Sequence, residues 1–195
     1  MVQNEAARRK QRVAPLYLVI MAVCGGLTIV LDAAGTMIGG YAPGASWFYP
    51  AGIVSIPMGV LFGMWGNIGH MIGTIIGGLV TGMPLPLALM MKSSNILHGI
   101  PAMLLMKGLH ADPRIKTRRD AIICFIGGCL VYIPGSFWGL GVLVWQGFIP
   151  LAGLPYAYMM WTLPGILEGG VLGTLLLKAT ASMVMRTRLY IERYW

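Results

Sequence analysis

The sequence predicts an all-α fold, an integral membrane bundle of six transmembrane helices, and three observations carry that reading. The 195 residues are 57% hydrophobic and 10% charged, where a soluble domain has about 25% charged residues. Mean hydropathy is +0.75, and several apolar runs reach about 20 residues, the length that crosses a hydrocarbon core about 30 Å thick. The basic residues are sorted. Arg8, Arg9, Lys10 and Arg12 precede the first apolar run, Lys107, Arg114, Lys116, Arg118 and Arg119 surround the one long polar loop, and Lys178, Arg186, Arg188 and Arg193 follow the last run. With both termini in the cytoplasm, six crossings put all of them on the cytoplasmic side, as positive-inside asymmetry requires. Only Lys92 falls within a crossing.

The same placement disposes of the net charge of +8. In a soluble protein it would point to nucleic acid; here the charges flank membrane segments, so nucleic acid is not an expected partner and anionic membrane lipid is. No polar stretch is long enough for a second domain, so residues 1–195 are read as one membrane domain.

The first span is expected at 14–31. It is longer than the apolar core of a cleavable signal peptide, so it is read as retained. Asp32 stands at its outer end. The small, Gly-rich residues 33–46 read as an outer loop ending in Trp47-Phe48-Tyr49-Pro50. Span two, 47–63, carries Pro50 and Pro57 and turns tightly through Met64-Trp65-Gly66 into span three, 67–82. Gly69, Gly73 and Gly77 recur every fourth residue there, the spacing that lets helices approach closely. Asn67 and His70 are expected near the cytoplasmic end of that helix.

Span four, 85–107, is the informative one, because its middle reads Lys92-Ser93-Ser94-Asn95-Ile96-Leu97-His98. A charge at mid-membrane costs roughly 2.5 kcal/mol or more. At about 100° per residue, Ser94, His98, Asn95 and Lys92 share an arc of roughly 160°, which must face the bundle interior. Span five, 121–145, contains Pro134 and Gly135, expected to kink it. Span six, 156–177, has Glu168 near its midpoint, with Tyr158 and Trp161 on the same face. The tail, 178–195, mixes Arg with Tyr and Trp and reads as a basic interfacial helix.

No catalytic constellation is present. Cys24, Cys124 and Cys129 all fall within spans and read as buried apolar thiols, the three histidines have no ligand spacing, and there is no phosphate-binding Gly-rich loop of the ATPase type. The expectation is a non-enzyme with no cofactor and no metal. What remains is the intramembrane polar set. One reading pairs Lys92 with Glu168. The other has Lys92, Asn95 and His98 facing Trp138, Trp161 and Glu168 across a cavity open to the outside, the aromatics stacking on a flat solute, with Asp32 and Tyr49 closing it from the first outer loop.

Phe48-Tyr49-Pro50-Ala51-Gly52-Ile53, Val60-Leu61-Phe62-Gly63 and Gly66-Asn67-Ile68-Gly69, in a chain of this length without a nucleotide motif, resemble the substrate-binding S component of energy-coupling factor vitamin transporters. Ala22 and Gly26, four apart on span one, are similar to that family's small-residue contact with its transmembrane T component. The resemblance implies capture of a vitamin-like small molecule at the outer face, then delivery through a T component carrying two cytoplasmic ATPases. Lys92 would meet a carboxylate or phosphate, and Glu168 or Asn95 a ring nitrogen or amine. The same segments also resemble membrane sensor domains that precede signalling enzymes. A small channel or a structural subunit of a larger membrane complex is a third reading of the polar face.

Overall fold

The computed structural model describes residues 2–42, 45–187 and 189–191. Among them the protein is an all-α bundle with one two-stranded hairpin. Its elements are α1 (Val2–Gly39), β1 (Gly40–Ala42), β2 (Ala45–Ser46), α2 (Pro50–Val80), α3 (Leu85–Lys92), α4 (Ile100–Gly108), α5 (Arg118–Leu130), α6 (Tyr132–Trp145), α7 (Leu154–Gly165) and α8 (Gly173–Val184). A 3₁₀ segment (Ser93–Leu97) joins α3 to α4, and a π-helical segment (Ile166–Leu172) joins α7 to α8. Four stretches are long and apolar enough to cross a membrane: Pro15–Gly39, Pro50–Val80, Arg118–Trp145 and Leu151–Val184.

α1 runs on past Leu31 to Gly39, because nothing in Asp32-Ala33-Ala34-Gly35 stops a helix. The first half of the expected outer loop at 33–46, up to Gly39, is therefore helix. It gives way to the antiparallel pair β1–β2, with Gly40 opposite Ser46.

α2 is folded on itself at Gly63, whose φ of 63° and ψ of −145° suit glycine. A Cβ on Gly66 would strike the carbonyl of Met58; eight residues of unbroken helix would separate those two by about 12 Å. The first arm runs antiparallel to α1: Gly35 lies against Phe48 and Pro50, and Thr28 reaches Met58 further down. The second arm runs parallel to it, Gly69 meeting Met21, Gly73 meeting Gly25 and Gly77 meeting Asp32. The tight turn expected between spans two and three is this fold. The fourfold glycine spacing brings the backbone of the second arm onto α1.

Polar residues interrupt the stretch expected as span four, which is not one helix. α3 ends at Lys92, 3₁₀ geometry covers Ser93–Leu97, and α4 starts one turn later with Pro101 in its first turn. The break in the stretch expected as span five falls at Val131, three residues before Pro134; Pro134 is the third residue of the next helix, in the first turn, where a missing N–H costs no bond. Thr117 and Asp120 close a reciprocal capping box at the start of α5, Asp120 N donating to Thr117 Oγ1 (3.2 Å) and Thr117 N to Asp120 Oδ2 (2.9 Å).

The tail departs from expectation as well. α8 ends at Val184, and the chain then turns back, Ile191 N donating to the carbonyl of Leu61 at 3.0 Å. Leu189 and Ile191 pack on Ile20, Cys24 and Met58. Of the expected tail, residues 178–184 continue α8, and 185–187 and 189–191 are bundle-bound turn and extended chain. Arg188 and residues 192–195 of the expected tail lie outside the described residues.

Candidate functional site

A 3₁₀ helix has three residues per turn, so side chains at i, i+3 and i+6 stack in a column. That geometry lines up Lys92, Asn95 and His98, all buried. An α-helix would have fanned them over an arc. The column faces Tyr49 from the lead into α2 and Tyr132, Ser136 and Trp161 from α6 and α7, and together they wall a small cavity that also touches Ser46 of β2.

Lys92 Nζ donates to Asp32 Oδ1 at 2.8 Å, with side-chain exposures of 5% and 0%. The sequence reading paired Lys92 with Glu168, and the structure corrects it. The extension of α1 carries Asp32 into the middle of the bundle, against Gly77, where Lys92 reaches it. For the same reason Asp32 does not close the site from an outer loop. Lys92 Nζ also stands 5.4 Å from the centre of the Tyr49 ring, a cation–π distance.

Tyr49 organises the rest. Its hydroxyl accepts from Asn95 Nδ2 at 3.1 Å, its ring meets His98 edge-on at 5.9 Å, and its backbone N–H donates to Glu168 Oε1 at 2.7 Å. Glu168 is buried, yet it does not line the central cavity; it belongs to the wall of a separate groove on the outside of α7. Trp161 is in the cavity wall, its ring over Gly139. Trp138 is not. It is 54% exposed and its indole Nε1 donates to the carbonyl of Met90 at 2.8 Å, fastening α6 to α3 from outside. Ala22 and Gly26 are exposed on α1, and a Cβ on Gly26 would meet nothing within 4 Å.

Three contributors were not foreseen. His70, expected near a helix end at the membrane surface, is fully buried, its Nδ1 3.2 Å from Thr28 Oγ1 and its ring 5.6 Å from that of His98. Tyr132 lies 5.2 Å from His98 on the far side and is seated where Gly165 and Gly169 leave room. Ser136 is one turn further along α6. The available signal was the stripe Tyr132, Ser136, Gly139, polar and small residues at helical spacing beside a proline.

The cavity is about 20 Å³, room for about one water molecule. The expected outward-open hollow is thus closed in this conformation. Several groups in and around it still lack hydrogen-bond partners: Asp32 Oδ2, His70 Nε2, His98 Nδ1, Tyr132 Oη and Ser136 Oγ. Each such group costs about 1–3 kcal/mol, so the cluster is a poor way to stabilise a bundle and a suitable way to hold a polar molecule. Among the described residues no three His, Cys, Asp or Glu converge as a metal ion would need. Compared with protein-family models, curated proteins and solved structures, the chain gives no match.

Proposed function

We propose that the chain crosses the membrane six times with both termini cytoplasmic, and that it captures a small polar solute as the substrate-binding subunit of an energy-coupling factor type importer. The crossings are α1, the two arms of α2, α3 with α4, α5 with α6, and α7 with α8. The antiparallel first arm and parallel second arm of α2 support this alternation, and so does the sorting of every Lys and Arg except Lys92 to one side.

The observation that carries the reading is the Lys92–Asp32 pair inside a pocket of polar and aromatic side chains. A buried ion pair is a weak source of stability, and an ionisable residue within the membrane marks a functional site by default. The 20 Å³ cavity corresponds to a closed form. Capture separates the pair, and its charges then set the solute's chemistry. An anion on Lys92 alone strands Asp32 at a cost of about 3–5 kcal/mol. A solute with both an anionic group and a hydrogen-bond donor or amine satisfies both, its ring between Tyr49 and Trp161. The exposed face around Ala22 and Gly26 is then the docking face for a T component, with partner ATPases supplying the energy.

Native mass spectrometry of the detergent-purified full chain tests this. A retained small molecule on the wild type, absent from Lys92→Met, is the expected result. The closed cavity and the 2.8 Å pair favour a second reading, a polar lock inside a sensor or structural subunit; a stoichiometric membrane partner with no solute would select it.

A further inference from the structure

We propose that the groove on the outside of α7 is a second binding site, for an amphipathic amine arriving from the lipid phase. The groove has a volume of about 450 Å³, within the range of small-molecule sites. Trp47, Phe48, Met159, Leu163 and Leu167 make its apolar wall, and among the described residues Glu168 is the sole ionisable one in it. It shares no wall residue with the central cavity. The two are joined through the Tyr49 N–H bond to Glu168 Oε1, while the groove's own wall is formed without the residues around Lys92.

Charge complementarity selects the occupant. Glu168 is only 4% exposed and its Oε1 is taken by the Tyr49 N–H, but Oε2 has no hydrogen-bond partner. Among the described residues no Lys, Arg or His pairs with it, since Lys92 is engaged by Asp32. A carboxylate buried in apolar surroundings without a counter-ion is costly. An acyl chain lying in the groove leaves that cost in place, and a polar solute finds no partner on the remaining wall. A molecule with an apolar body and one ammonium group meets both demands.

The local backbone supports the assignment. Glu168 lies in the π-helical segment, just after Pro164 removes a backbone N–H. π-Helical turns inside helices are frequent at functional sites.

The test uses the full chain in lipid nanodiscs with diazirine-tagged dodecylamine and, as matched neutral probe, diazirine-tagged dodecanol, followed by peptide mapping of the photoadducts. The amine is expected to label residues 159–167 several-fold more than the alcohol, with competition by untagged dodecylamine. Glu168→Gln should bring amine labelling down to the alcohol's level, and Leu163→Trp should lower it by filling the groove with Glu168 in place. Equal labelling by the two probes in the wild type overturns the proposal, as does adduct spread evenly over all outward helix faces. A folded Glu168→Gln protein that keeps its preference for the amine overturns it as well.

Discussion

Lys92 and Asp32, sixty residues apart, meet at 2.8 Å in the interior of the bundle and tie the end of α3 to the C-terminal part of α1. The sequence separates their charges, and the tertiary fold rejoins them. Removing either partner leaves the other charge buried, whereas removing both leaves none. Asp32→Asn and Lys92→Met alone should each destabilise by about 3–5 kcal/mol, while the double variant should lose much less than their sum. Thermal unfolding in detergent, followed by circular dichroism, measures this. Additive losses would mean the two groups do not depend on each other.

The glycines of α2 give a contrast within one pair of helices. A Cβ on Gly73 would lie 2.5 Å from the Gly25 carbonyl, backbone that cannot yield, while Gly26 opens onto free space. Gly73→Ala should cost about 1–3 kcal/mol. Gly26→Ala should leave the melting temperature unchanged, or raise it slightly through the lower entropy of the unfolded chain. Gly26→Trp should also spare stability but block assembly with a T component, read by co-purification.

Gly63 is the pivot of the α2 fold. With φ at 63° and ψ at −145°, Gly63→Ala strains the backbone by about 1–3 kcal/mol. The neighbouring Gly66 has a separate demand, steric and not torsional, so the double variant should be worse than either single. Yield of folded protein after size-exclusion chromatography and its melting temperature check this; a neutral Gly63→Ala would put the turn elsewhere.

Acid sensitivity concerns the loop before α5. The Arg114 guanidinium, 2.8 Å from Asp112 Oδ2, with Lys116 at 2.9 Å, holds the Asp112 carboxyl well below the usual carboxylate range. A lowered folded value means that the contribution is present in full above the unfolded value, about 3.9, and is lost as pH falls from there toward the folded one. Proteolytic resistance of residues 108–118 should therefore be flat from pH 8 to about pH 5 and decline only below about pH 4. Asp112→Asn should remove the acid step. A midpoint near neutrality would mean that Asp112 does not govern the loop's order.

The class of protein was readable because hydropathy and charge sorting are averages over many residues. The site was readable in part for a related reason: a Lys, an Asn and a His in an apolar run demand an interior whatever the details. What failed was depth. Asp32 was placed at a helix end because the apolar run was taken to stop at Leu31, though Ala, Gly and Thr continue a helix without adding hydropathy. That single error moved the partner of Lys92 to Glu168. His70 was misplaced in the same way, by counting from a turn. The 3₁₀ column of Lys92, Asn95 and His98 had no sequence signature, since tertiary contacts choose between three and 3.6 residues per turn. Trp138 could not be told from Trp161, because an indole suits an outer face as well as an inner one.

The glycine-lined contact between α1 and the second arm of α2 has a mechanical consequence. Backbone of the second arm comes against backbone and short side chains of α1 at Gly69, Gly73 and Gly77, so the two rods have no room to close further. On the opposite flank Tyr132 and Trp161 lean on glycine ledges, and the π-helical turn after α7 packs its Gly169 against Gly128 of α5. Under the proposed solute capture, a crosslink laid across that flank is expected to block access to Lys92 while leaving the α1–α2 contact intact.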